Sequence, residues 1–177
     1  MQTLSISKSV CASVALTFLA AATAQAHVVL EKSEATLGAP YKAVFKVGHG
    51  CNGSPTTKLR VRLPDGVIAA KPMPKPGWQI EIESGPYDKA YSFFHGASLK
   101  EGVKTITWTG KLEDQYYDEF VVSVFIADSL KAGETLYFPV MQECERGVHR
   151  WIEIPKAGGS SHELKEPAPG LRLQPKT

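Results

Sequence analysis

The chain has 177 residues with 20 basic and 18 acidic side chains, and its formal net charge at pH 7 is +2. This near-neutral balance argues against a nucleic acid or another polyanion as the main binding partner. The length suits one domain with a hydrophobic core, and after the amino-terminal leader no apolar run approaches the ~18 residues of a membrane span.

The first 26 residues have the pattern of a secretory signal peptide. Lys8 is their only charged residue, an apolar stretch from Val10 to Ala22 follows it, and Ala24-Gln25-Ala26 supplies the small residues that signal peptidase accepts. Cleavage after this triplet would make His27 the first residue of the mature protein. We therefore expect residues 1–26 to be removed, and the mature protein to be periplasmic or secreted.

From His27 onward the apolar pattern is that of short β-strands rich in Val, Ile, Thr and aromatic residues, separated by turn sequences rich in Gly, Pro, Asn and Asp. We predict strands in HVVL, KAVFKV, TKLRVRL, WQIEIE, AYSFF, VKTITWT, EFVVSVFI, ETLYFPVMQ and HRWIEI. No window has convincing helical spacing. The expected fold is an all-β antiparallel sandwich of the immunoglobulin or fibronectin III kind over residues 27–157.

Two segments are expected to lie outside the strands. The prolines of PMPKP, residues 72–76, predict an extended connection, because proline cannot serve in a central strand. Residues 158–177 are rich in Gly, Ser and Pro, and they predict a tail that lies loosely on the domain or is disordered.

Counting strand directions places several chemically useful residues at one pole of the sandwich. If successive strands run antiparallel, the pole that holds His27 also holds His49, Cys51, Trp108, Glu119, Cys144, His149 and Trp151. Cysteines of an exported protein are expected to be oxidised, so the arrival of the two remaining cysteines at one pole predicts a Cys51–Cys144 disulfide.

An amino-terminal histidine is a metal chelator, because its α-amine and ring Nδ1 can bind one ion in a six-membered ring. Nitrogen donors in a tetragonal arrangement suit Cu(II), which tops the affinity order for such ligands. Reference pKa values of about 7.7 to 8.0 for the amine and about 6.5 for the imidazole leave little competition from protons at neutral pH. His27 is therefore a candidate Cu(II) ligand, and an exposed histidine without a metal is the alternative.

Nearly the whole predicted mature chain, from about His27 to Pro155, resembles the YcnI-like family of exported copper-binding proteins. The similar stretches are HVVLEKSEATLG, GCNGSPTTKLRVRLPDGV, KPMPKPGW, TITWTG, YYDEF and LYFPVMQECERGVHRWIEIP. The resemblance implies a β-sandwich of cupredoxin or fibronectin III character. It also implies that His27 holds Cu(II) in a single-histidine brace, completed by a carboxylate, with a tryptophan close to the metal. Copper-trafficking partners and a metallochaperone role in copper homeostasis follow from the same resemblance.

The carboxylate of this site is open between two glutamates. Glu34 lies in the family's opening stretch, but seven extended residues would carry it about 23 Å from His27. Strand direction therefore favours Glu119, from YYDEF. Glu143 and Glu145, which flank Cys144, are weaker candidates.

Among the three tryptophans, Trp151 is the predicted neighbour of the metal, because it follows the Cys144 loop at the pole of His27. Trp108 alternates with Ile106 in TITWT and is expected to pack in the core. Trp78 follows a Pro-Gly turn and is expected at the edge of the sandwich.

Three other interpretations compete with a copper carrier. A copper monooxygenase would need His49 or His149 as a second histidine on the metal. A blue-copper site would use Cys144, His149 and Met141, but it needs a thiolate that a disulfide would consume. The third interpretation is an exported interaction domain without a metal. We predict Cu(II) binding without catalysis.

Overall fold

The computed structural model describes residues 27–176, so the predicted signal peptide lies outside the described residues. Within them are twelve β-strands and two single-turn 3-10 helices, at Phe94–Gly96 and Ser161–Glu163. The strands are β1 Val29–Leu30, β2 Glu34–Thr36, β3 Ala39–Val47, β4 Thr56–Arg62, β5 Val67–Pro72, β6 Gln79–Ser92, β7 Ser98–Leu112, β8 Asp118–Ile126, β9 Thr135–Tyr137, β10 Val140–Cys144, β11 Val148–Trp151 and β12 Gly170–Gln174.

The strands form two large antiparallel sheets and one smaller sheet. One large sheet has the order β1-β3-β8-β5, and the other has the order β11-β10-β4-β7-β6. In the small sheet, β2-β12-β9, strand β12 runs parallel to β2 and antiparallel to β9. The predicted all-β antiparallel sandwich is confirmed.

The alternation of apolar and polar residues explains how the two large sheets pack. Side chains alternate between the two faces of a strand, so one face of each sheet can be entirely apolar. Phe45 of β3 pairs with Phe120 of β8, and Leu59 of β4 pairs with Trp108 of β7. All four side chains are fully buried in one hydrophobic cluster. This cluster is the core between the sheets.

The strands differ from the prediction in several places. Strands β2 and β5 were not predicted, and WQIEIE and AYSFF, predicted as two strands, overlap the single strand β6, which has an irregular register after Pro86. The predicted strand ETLYFPVMQ is divided at Phe138-Pro139 into β9 and β10, which lie in different sheets. Proline has no N–H to donate to a strand ladder, which favours a break at this position.

The prediction of a loose tail over residues 158–177 is wrong. Strand β12 lies in this segment, and its Leu171 and Leu173 are 0% and 1% exposed within the main core. The sequence GLRLQ alternates apolar and polar residues, and β12 buries its leucines by pairing with β2 and β9. The sandwich therefore extends beyond the predicted boundary at residue 157.

The Cys51–Cys144 disulfide is present, as predicted, with 6.0 Å between the two Cα atoms. It joins the loop that follows β3 to the end of β10. The bond therefore holds together segments of both large sheets.

Among residues 27–176, no helix has the length and apolar character needed to cross a membrane.

Candidate metal centre

His27 lies at an open edge of the sandwich, two residues before β1. Strand β1 is the edge of one large sheet, and β11, which ends at Trp151, is the edge of the other. The ring centroids of His27 and Trp151 are 5.4 Å apart, with an angle of 59° between the ring planes. The structure thus brings the predicted first residue of the mature chain against the favoured tryptophan.

A buried glutamine holds Trp151 in place. Trp151 is 3% exposed, and its Nε1 donates a 2.9 Å hydrogen bond to Oε1 of Gln142. Nε2 of Gln142 donates to the backbone oxygen of His49 at 2.6 Å and to Oγ1 of Thr56 at 2.8 Å. Gln142, which is 1% exposed, therefore connects the tryptophan to the His49 loop.

Two further histidines border the same indole. The His149 ring stacks on Trp151 with centroids 4.8 Å apart and 29° between the planes. The His49 ring lies 6.4 Å from Trp151 and 5.7 Å from His149. The strand-direction argument placed these four residues at one pole, and the structure brings them together.

Glu166 orients His149 and was not singled out from the sequence. Nδ1 of His149 lies 2.7 Å from Oε1 of Glu166, and the backbone N–H of Arg150 donates to Oε2 at 3.1 Å. Partial burial acts to raise the pKa of Glu166, but the hydrogen bonds from His149 and Arg150 outweigh it and the pKa is lowered. Glu166 was missed because the Pro-rich sequence around it was interpreted as a loose tail.

The surroundings of His27 favour its neutral form. Burial lowers the pKa of the His27 imidazole, and the nearby His49 and His162 lower it further. A neutral imidazole has the lone pair that a metal ion needs, so this environment suits a ligand.

Glu34 shares a cavity with His27. The cavity has a volume of about 570 Å³, and its lining also includes His162 and Arg172. The 23 Å separation expected for an extended chain does not apply, because β1 ends at Leu30 and the chain bends before β2 begins at Glu34.

Glu119 lies elsewhere on the sheet. It pairs with Lys46 of β3, which in turn pairs with Val29 of β1. Two strand spacings therefore separate the backbones of Glu119 and Val29, or about 10 Å. The neighbouring Phe120 points into the core, so Glu119 is on the outer face of the sheet. Glu34 lines the same cavity as His27, and Glu119 does not.

The remaining candidates have other partners. Glu143 forms ion pairs with Lys58 at 3.6 Å and Arg60 at 3.9 Å, and Glu145 pairs with Lys111 at 3.0 Å. Both carboxylates are therefore paired with basic side chains at the protein surface.

Trp108 and Trp78 lie where the sequence predicted. Trp108 is fully buried, with its ring 5.5 Å from that of Phe120. Trp78 is partly buried and packs edge-on against Phe120 at 4.8 Å. Neither tryptophan is the one that contacts His27.

Within the described part of the chain, no group of three or more His, Cys, Asp or Glu side chains is arranged to hold a metal ion. A terminal chelate is not such a group, because one of its two donors is an α-amine that exists only after cleavage before His27. Cys144 is oxidised, so it has no thiolate for a blue-copper site.

Comparison with known proteins gives a family and a fold neighbour. Residues 27–173 match the model of a family described as a domain of unknown function, DUF1775. Members of the YcnI-like family carry this domain. A search of curated proteins gave no match.

A similar solved structure comes from Nocardia farcinica. It is the crystal structure of an uncharacterized protein, described as having an immunoglobulin-like fold. The two chains are 27% identical with a TM-score of 0.62, and the match covers 84% of this chain and 98% of the other. This neighbour supports the immunoglobulin-like architecture.

Proposed function

This chain belongs to the DUF1775 family, and we propose that its mature form is an exported Cu(II)-binding protein that holds or transfers copper through His27. The observation that carries the proposal is the contact between His27 and the buried Trp151, beside a cavity that Glu34 also lines. Cleavage after Ala26 would free an α-amine at this point of the surface.

The proposed site has two nitrogen donors and one carboxylate donor. The α-amine and Nδ1 of His27 form the chelate, and the lowered pKa of the imidazole keeps protons from competing. Glu34 supplies a negative oxygen donor from the shared cavity. Imidazole, amine and carboxylate together suit Cu(II) better than the softer Cu(I), which prefers sulfur ligands.

Trp151 acts as a positioning wall and not as a ligand. Its hydrogen bond to Gln142 fixes the indole, so the ring limits the orientations of the His27 imidazole and reduces water access from one side. Such supporting contacts tune metal affinity and are part of a metal site's design.

His27 also lines a cavity that is open to solvent, which suits a site that takes up and releases its ion. We propose a periplasmic or secreted copper-homeostasis role with a copper-trafficking protein as partner. This assignment rests on the resemblance to exported copper proteins, and it includes no catalytic step.

The proposal is tested by comparing correctly processed protein with a version that carries one extra, N-acetylated residue before His27. The acetylated extension leaves no free amine beside the His27 ring, so the amine–imidazole chelate cannot form. We expect Cu(II) titration calorimetry to give a tight equivalent in the processed protein that weakens by at least about 100-fold, or about 2.7 kcal/mol, in the extended one.

The matched control carries the same extra residue at the carboxyl terminus, where it should leave Cu(II) affinity unchanged. Equal affinities for the processed and amino-terminally extended proteins would show that the α-amine binds no copper.

A further inference from the structure

We propose that His49 and His149 form a second metal site, in which two imidazoles bind one divalent ion such as Cu(II) or Zn(II) beside Trp151. The site does not use the α-amine of His27. It therefore exists in the chain before as well as after cleavage, and it does not depend on the proposed amino-terminal chelate.

Hydrogen bonding determines which ring nitrogens are available. Nδ1 of His149 contacts the Glu166 carboxylate, and Nδ1 of His49 contacts the backbone oxygen of Gly50. Ionised carboxylates and carbonyl oxygens only accept hydrogen bonds, so Nδ1 carries the proton in both rings. In the neutral imidazoles, both Nε2 atoms then have the lone pair for a metal.

This arrangement is the supporting pattern of metal-binding histidines. A ligating histidine commonly donates its other ring N–H to a carboxylate or a backbone carbonyl, which fixes the tautomer and the ring orientation. Here one ring has the carboxylate of Glu166 and the other has the carbonyl of Gly50. Glu166 is thus assigned as the residue that positions His149.

The separation of the rings fits a shared ion. A metal bound at about 2.0 Å from an imidazole nitrogen lies about 3.2 Å from the ring centroid, so two such rings can be at most about 6.4 Å apart. The His49 and His149 centroids are 5.7 Å apart, within that limit, and the ring planes are at 88° to each other. With both Nε2 atoms directed at one ion, this distance gives a nitrogen–metal–nitrogen angle of about 125°.

The backbone around both rings is held by Gln142 and by the disulfide. His149 pairs in the sheet with Gln142, whose Nε2 binds the backbone oxygen of His49. Cys51, two residues after His49, is joined by the disulfide to Cys144, two residues after Gln142. When the backbone is rigid, the ligating side chains stay close to the geometry that binds the metal. Both rings are only partly buried, so an ion can reach them.

The test uses the version with one extra, N-acetylated residue before His27, in which the terminal chelate is blocked. We expect titration calorimetry to show that this protein still binds one Cu(II) equivalent. His49→Gln and His149→Gln should each weaken that binding by at least about tenfold. The matched control is His95→Asn, which removes an exposed histidine from the turn between β6 and β7. Asparagine suits the positive φ of 56° at this position, and this variant should leave the Cu(II) affinity unchanged.

A second measurement does not depend on the folding of a variant. In the extended wild-type protein, Zn(II) should shift the Nε2 resonances of His49 and His149 together in ¹⁵N NMR spectra and leave those of His95 unmoved. The proposal is overturned if the extended protein binds no Cu(II), or if neither His49 nor His149 responds to Zn(II). The proposed His27 chelate is tested by a different comparison. It is contradicted if processed and extended proteins bind copper with equal affinity.

Discussion

Gln142 shows how a single side chain organises the candidate centre. It is buried and polar, and it accepts a hydrogen bond from Trp151 while donating to the His49 backbone and to Thr56. A buried amide costs stability unless it is paired, so this network both satisfies Gln142 and fixes the residues it touches. The sequence PVMQEC does not distinguish this glutamine from an exposed strand residue.

The carboxylate of the proposed copper site is tested by a pair of matched substitutions. Glu34→Gln removes the negative donor from the cavity of His27 and should weaken Cu(II) binding by about tenfold or more. It should also change the electron paramagnetic resonance spectrum of the Cu(II)-loaded mature protein. Glu119→Gln, on the outer face of its sheet, should change neither. The reverse pattern would assign the site to Glu119.

Glu166 should make stability depend on pH in a defined direction. Its pKa lies below the ordinary 4.5, so the carboxylate stabilises the folded state fully above pH 4.5, and this contribution is lost as pH falls through the folded-state pKa. We expect Glu166→Gln to lower the free energy of unfolding by about 1 kcal/mol at pH 7 and by less at pH 3. Urea unfolding at both pH values measures the difference. The exposed Glu163→Gln should have little effect, and an equal loss for Glu166→Gln at both pH values would contradict a role for the ionised Glu166 carboxylate in these hydrogen bonds.

At the scale of elements, the strand-direction argument succeeded partly because two errors compensated. Omitting β5 reverses the expected direction of every later strand. Dividing β6 into two strands reverses it again, so β7 and the strands after it keep the correct direction. This is why the cysteines, His149 and Trp151 were assigned to the correct pole although the strand list was incomplete.

Strand β12 is an integral part of the sandwich, and its contribution can be measured. Leu171 is fully buried, so Leu171→Ala leaves a cavity in the core and should lower the free energy of unfolding by about 3 kcal/mol. Arg172→Ala, at the exposed neighbour on the same strand, is the matched control and should cost less than about 0.5 kcal/mol. Urea unfolding followed by tryptophan fluorescence distinguishes the two. A small loss for Leu171→Ala would mean that β12 packs only weakly.

For the whole molecule, the disulfide closes a long loop. Cys51 and Cys144 are 93 residues apart in sequence, and constraining a loop of this length in the unfolded chain is worth about 4 to 5 kcal/mol in the chain-entropy model. We expect the double substitution Cys51→Ala with Cys144→Ala to lower the free energy of unfolding by about this amount in urea. The reduced wild-type protein should behave in the same way. A loss below about 1 kcal/mol would show that the unfolded chain gains little freedom when the bond is absent.

The sequence by itself determined the all-β class and the Cys51–Cys144 pairing. Strand alternation is visible within a few residues, and only these two cysteines follow residue 26, so each has one possible partner there. Only the tertiary structure decided that Glu34 shares the cavity of His27, that β12 joins the sandwich, and that Glu166 meets His149. These features depend on where the chain bends after β1 and on which distant strands pair. The spacing of residues along one strand does not encode such contacts.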